Sequence, residues 1–113
     1  MYTLYGIKNC DSVKKARSWL DKHALAYQFH DFRIDGLDRE LVQTFMTKGD
    51  WEVLLNKRST SWRQLDDAQK TDLNAEKAVA LLLANPTLVK RPVLAAGENF
   101  FIGFNAETYQ TLL

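Results

Sequence analysis

The first 32 residues constrain the fold more than any other part of this 113-residue chain. Tyr2 to Tyr5 is a short, apolar, aromatic-rich run closed by Gly6, and it reads as a strand. Asp11 and Ser12 are N-cap types. Behind them Val13, Ala16, Trp19 and Leu20 recur at helical spacing to about His23, with Lys14, Lys15 and Asp21 facing out. Ala26 to Phe32 alternates and is again rich in aromatics, a second strand. Strand, loop, helix, strand is a βαβ unit, so the two strands are expected to run parallel.

The middle of the chain carries helical patterns only. Leu41, Val42, Phe45 and Met46 share one face of a helix expected over 37–47, with Asp35 and Asp38 as caps. Trp51 to Leu55 is a second short helical piece, Asn56 to Thr60 a polar break, and Trp62 to Gln69 a further turn. Asn74 caps a helix over 75–84 that is nearly all apolar and should therefore be well buried, and Asn85 and Pro86 stop it. Strands return at Val93 to Ala96 and Asn99 to Ile102, flanking Gly97-Glu98 as a hairpin turn, and Asn105 caps a last helix to Leu113. The expectation is one α/β domain over residues 1–113, a βαβ…ββα mixed sheet with an all-helical insertion at about residues 36–86.

Charge and composition exclude several classes of function. A net charge of +1 gives no global field to draw in nucleic acid or an anionic membrane. No apolar run approaches the ~20 residues of a membrane span. The opening Met-Tyr-Thr-Leu-Tyr-Gly lacks the basic and long apolar regions of a secretory signal. A single cysteine excludes an internal disulfide and a cysteine-rich zinc site; with no export signal it points to a reducing compartment, the cytoplasm. His23 and His30 have no metal-ligand spacing, so no metal is expected. One closed core favours a monomer.

Cys10 is the first candidate for chemistry. It falls at the end of a strand-to-helix loop, where the first helical N–H groups lack internal partners and carry partial positive charge. A thiolate is stabilised in such a place. Lys8, Lys14 and Lys15 add positive potential, and Asp11 opposes it if its side chain turns the same way. That position outweighs the common fate of a free cysteine, burial as a small apolar side chain. The second candidate is Arg91-Pro92, directly before an apolar strand. Only about 5–6% of such bonds are cis, so the sequence does not establish the isomer. With Pro92 beside Cys10, the Arg91 backbone is free for an extended ligand and its guanidinium can hold an oxyanion or carboxylate; otherwise Arg91 is a surface residue before a strand. A third candidate, Asn56 to Arg63, has basic residues among hydroxyls, as an anion site would, but reads first as a solvated loop.

Three segments in order carry a family resemblance. They are Tyr-Gly-Ile-Lys-Asn-Cys-Asp-Ser-Val-Lys-Lys-Ala-Arg around Cys10, Leu-Leu-Asn-Lys-Arg-Ser-Thr-Ser-Trp-Arg around Arg58, and Val-Lys-Arg-Pro-Val-Leu at Pro92 followed by Phe-Ile-Gly-Phe-Asn. Over essentially its whole length the chain resembles the arsenate reductase/Spx family, and most of all a small arsenate-reductase-like branch with Lys-Asn-Cys-Asp at its cysteine. The resemblance implies a thioredoxin/glutaredoxin-like sheet and a cis Pro92 beside the cysteine. In the glutaredoxin-coupled arsenate reductases the cysteine attacks arsenate, arginines hold the oxyanion, and glutathione and glutaredoxin reduce the adduct. Carried over, Cys10 is the nucleophile and Arg58 and Arg91 are two of the arginines.

This chain departs from the reductase pattern twice. The third arginine expected after the last strand is replaced by Gly103-Phe104-Asn105-Ala106, and the cysteine turn reads Cys-Asp-Ser-Val rather than Cys-Gly-Thr-Ser. One lost charged contact costs an oxyanion site about 1.5–3 kcal/mol. The branch therefore implies a glutathione-dependent thiol reductase instead. Its site would be Cys10 with Lys8, Asn9, Arg58, Arg91 and Pro92, its substrate glutathione or a glutathionylated disulfide, and it would hold no tightly bound cofactor. Glutathione is the co-substrate in this reading, and glutaredoxin is a further candidate partner. The alternative is an Spx-like module that docks on RNA polymerase. Redox-sensing Spx proteins carry Cys-x-x-Cys, whereas the fourth position here is Val13, which rules out an internal switch.

Overall fold

The structure, a computed structural model, describes residues 2–113. These group into two compact units: one runs to Gly36 and resumes over Arg91–Leu113, and the other is Leu37–Lys90.

The first unit is built on β1 (Tyr2–Gly6), α1 (Asp11–Lys22) and β2 (Tyr27–Asp31), with β3 (Val93–Ala96) and β4 (Asn99–Ile102) completing a sheet of order β2-β1-β3-β4. β1 pairs in parallel with β2, from Tyr2 opposite Tyr27 to Gly6 opposite Asp31, and antiparallel with β3, from Tyr2 opposite Ala96 to Tyr5 opposite Val93. The helix buries Val13, Ala16 and Leu20, a three-then-four spacing on one face. These meet Leu4, Leu94 and Ala96 from the sheet and Tyr109 from α7 (Ala106–Tyr109). Gly97, at φ +64°, makes the tight turn between β3 and β4.

Gly6 sets how closely strand and helix approach. A Cβ on Gly6 would lie 2.6 Å from a methyl of Val13, a side chain with no exposed surface. The bare backbone at the end of β1 lets the first turn of α1 settle against the sheet.

The second unit is helical. It comprises α2 (Arg39–Lys48), α3 (Trp51–Leu54), α4 (Thr60–Arg63), α5 (Asp67–Lys70), α6 (Ala75–Ala84) and a 3-10 turn at Pro86–Leu88. Each α-helix starts on a side-chain cap: Asp38, Asp50, Ser59, Asp66 and Asn74 all accept a first-turn N–H. α2 and α6 pack together, and Val42, Phe45, Ala78, Val79 and Leu82 are among the residues this unit buries. The last stretch returns to α3, with the Asn56 N–H donating to Leu88 O at 2.8 Å and the Lys90 N–H to Leu54 O at 2.8 Å.

Several local expectations change. Asp11 and Ser12 lie inside α1, and the N-cap is Cys10. Asp35 does not cap α2; its carboxylate accepts the Asp31 N–H instead. The expected turn over 62–69 is two turns, because Ser59 starts one by taking the Trp62 N–H and Asp66 starts the next with a reciprocal Gln69 capping box. α6 is buried on one face only, and Ala80 and Ala84 are exposed. The final helix is α-helical to Tyr109 and then tightens to a 3-10 turn over Gln110–Leu112. Among the described residues, no helix is long and apolar enough to cross a membrane.

Two outcomes are expected of this core. Gly6→Ala lowers unfolding stability by about 1–3 kcal/mol in urea titrations, the usual cost of overpacking, and pairing it with Val13→Ala recovers part of the loss. Tyr109 has no exposed surface and its hydroxyl has no hydrogen-bond partner among the described residues; burial pushes its phenol above the ordinary value of 10.0. A raised folded value means that stability is fully present below pH 10.0 and falls as pH rises beyond it, because only the unfolded tyrosine ionises there. Tyr109→Phe therefore flattens the alkaline loss of stability and leaves neutral stability equal or about 1 kcal/mol higher.

Candidate active site

Parallel pairing brings the carboxyl ends of β1 and β2 to one end of the first unit's sheet. Antiparallel pairing brings the start of β3 there too, since Val93 faces Tyr5. In open α/β sheets this end is where ligands bind. The sequence candidates Lys8, Asn9, Cys10, Arg91 and Pro92 all stand on segments that leave or enter the sheet at this end.

Ile7 is buried and anchors the loop, while Lys8 and Asn9 are exposed. Cys10 is extended at φ −137° and ψ 125°, and its carbonyl accepts the Lys14 N–H at 2.9 Å, the first bond of α1. Its side chain makes no capping hydrogen bond to the first-turn N–H groups, which lack partners within the helix. The thiol is free and half-buried, with its apolar side packed on the cluster of Leu4, Val13 and Leu94.

Across the sheet end, the Arg91–Pro92 bond is cis. Arg91 is half-buried and Pro92 buried, and the Pro92 carbonyl accepts the Gly103 N–H at 2.7 Å. That bond ties the start of β3 to the turn after β4. The reductase pattern would put a third arginine in this same turn, which here reads Gly103-Phe104-Asn105-Ala106. Gly103 takes φ +81° there, and Phe104 stands edge-on to Tyr109 at 4.9 Å between ring centroids.

Arg58 belongs to the second unit. It is exposed, and its N–H donates to Asn56 Oδ1 at 3.1 Å. Beside it Lys57 lies over the Trp62 ring at 5.8 Å and Lys70 at 5.4 Å, so part of that segment's charge rests on an aromatic face.

One residue of this region escaped the sequence reading. Asp31 closes β2 with 4% of its surface exposed, and its Oδ2 accepts the Lys8 N–H at 3.2 Å. The available signal was an aspartate ending an apolar strand. It reads as a turn residue until the partner 23 residues away is known.

Residues 5–112 match the ArsC family model. The chain belongs to the ArsC family. Relatives agree along its length. It is 48% identical to a Haemophilus influenzae protein described as an uncharacterized protein, over 97% of this chain and 96% of that one. It is 29% identical to the global transcriptional regulator Spx of Streptococcus mutans, over 100% of this chain and 83% of that one. The solved YFFB (PA3664) protein is 47% identical and superposes with a TM-score of 0.94, covering 98% of this chain and 97% of that one. The fold is thus the thioredoxin-like α/β fold of an arsenate-reductase-related family. In this ArsC-family chain, Val13 stands where a Cys-x-x-Cys pair would place its second thiol, and it is fully buried.

Proposed function

We propose that this chain is a glutathione-dependent thiol–disulfide reductase with Cys10 as its nucleophile. The observation that carries the reading is the placement of one free, half-buried thiol at the N-cap of α1, at the sheet end where β3 starts after Arg91-Pro92. The N–H groups of a helix start lack internal partners and can donate to an anionic ligand there. The Cys10 thiolate attacks the glutathione sulfur of a mixed disulfide, forming a Cys10–glutathione disulfide, and the substrate sulfur leaves and takes a proton. A glutathione thiolate then attacks the glutathione sulfur of the adduct. Glutathione disulfide leaves, and Cys10 regains its thiolate. The second thiol comes from solution, which suits a chain with one cysteine. Lys8 and Arg91 supply cations at this end for the glutathione carboxylates.

Arsenate is the weaker candidate. Three arginines would share its charge in the reductases the chain resembles, and the turn after β4 offers Gly103 and a Phe104 committed to Tyr109. A docking role like that of Spx gains support from similarity over the whole chain. It predicts capture of RNA polymerase subunits with no turnover.

The purified chain should reduce a glutathione mixed disulfide, and Cys10→Ser should abolish that turnover. Arg91→Ala should raise KM about tenfold or more, as loss of a charged hydrogen bond does, with kcat much less affected. Lys22→Ala, at the far end of α1, is the surface control and should leave KM unchanged. No turnover of the disulfide by the wild type sinks the reading, and equal effects of the two substitutions remove Arg91 from the site.

A further inference from the structure

Asp31 is a buried carboxylate, and a buried polar group has to be met by hydrogen bonds. It is 4% exposed, and among the described residues its two oxygens meet only backbone N–H groups: Oδ1 accepts from Arg33 at 2.8 Å and Oδ2 from Lys8 at 3.2 Å. The bond to Arg33 is an ordinary Asx turn, which needs a single oxygen. The second oxygen reaches back to the loop that carries Cys10.

The parallel ladder explains why that reach is needed. Gly6 pairs with Asp31, and the Gly6 carbonyl accepts the Phe32 N–H at 2.9 Å. One step further, a regular parallel ladder would send the Lys8 N–H to the carbonyl of Phe32. The chain turns away first: the Ile34 and Asp35 N–H groups fold back onto Asp31 O at 3.1 and 2.7 Å. The Asp31 side chain takes the Lys8 N–H in place of the lost backbone acceptor. A short side chain with two acceptor oxygens can serve the turn and the loop together. Asparagine, with one oxygen and one NH2, can serve only one of them.

We infer that Asp31 is a positioning residue for the reactive loop, fixing the course of Lys8 and Asn9 and hence the point at which Cys10 enters α1. The inference rests on Cys10 being the reacting group, but its test does not depend on which substrate Cys10 serves. In the full chain, Asp31→Asn should speed hydrogen exchange of the Lys8 amide about tenfold, the expected effect of one lost hydrogen bond to a charged acceptor. It should also shift the amide resonances of Asn9 and Cys10. Turnover of the glutathione mixed disulfide should fall about tenfold in kcat with KM nearly constant, as misplacing a nucleophile requires. Asp35→Ala is the control. It removes the acceptor of the Asp31 N–H at 3.0 Å in the same turn, and among the described residues its side chain has no hydrogen bond to the Cys10 loop. It should lower stability and leave the Lys8 amide, the Cys10 resonance and kcat where they were.

Two results overturn the inference: an unchanged Lys8 amide in Asp31→Asn, or an Asp35→Ala variant that reproduces its effects in proportion to lost stability. Should Asp31→Asn not fold, the wild type decides. A Lys8 amide exchanging at least about tenfold more slowly than that of Asn9 supports the role, and equal rates refute it. If the wild type turns over no disulfide, the reductase reading fails while the exchange and resonance measurements still judge Asp31.

Discussion

The close approach of Gly6 to Val13 is the contact on which the rest of the first unit depends. β1 is an inner strand, parallel to β2 on one side and antiparallel to β3 on the other, so its exit direction is fixed by two ladders. Where it ends, α1 must begin within a few residues and fold back onto the same sheet. Any side chain at Gly6 would collide with the nearest methyl of Val13, so the strand end, that side chain or the first turn of α1 would have to shift. The place of Cys10 follows directly, since the N-cap can only be where the helix starts. Val13 thus has a packing task at the position where a second cysteine would otherwise stand. With this site committed to the core, the proposed disulfide chemistry would draw its second thiol from outside the chain.

The sheet end combines cheap and costly devices. The Gly103 bond to Pro92 is an ordinary backbone contact that closes the turn after β4 onto the start of β3. Asp31 is different, because a buried carboxylate has to be met by hydrogen bonds, and here its two oxygens take backbone N–H groups from two separate segments. Polar groups that are expensive to bury and tie separate segments together mark places where geometry matters more than stability. Here the segments joined are the turn after β2 and the loop leading to the thiol. The helical unit uses cheaper means, since each of its short α-helices is started by an aspartate, serine or asparagine cap.

Much of this was legible in advance. The four strands, α1 and α6 announce themselves through period and punctuation, because apolar spacing and Gly, Asn and Pro act locally. The cis Arg91–Pro92 bond was implied by the family resemblance alone, since proline permits either isomer. Local competition decided the details that moved. Asp11 and Ser12 are good caps by type, but the backbone turns helical one residue sooner, and the cap is the cysteine. Asp35 and Asp38 looked alike as caps for α2, and only Asp38 sits at the right distance from Leu41. Ala80 and Ala84 belong to an apolar run, yet one face of α6 suffices for packing.

The sequence by itself determined the order of elements, the candidate cysteine and the absence of a second cysteine to pair with it, because these depend on residue type and short-range spacing. A single cysteine next to a helix start can be read without coordinates. Only the tertiary structure decided what supports that cysteine. Gly6 reads as a strand end and is also the point of closest approach to Val13; Asp31 reads as a turn residue and also accepts the Lys8 N–H from 23 residues away along the chain. Both depend on groups far apart in sequence meeting within hydrogen-bond or van der Waals distance, and no local pattern encodes such a meeting.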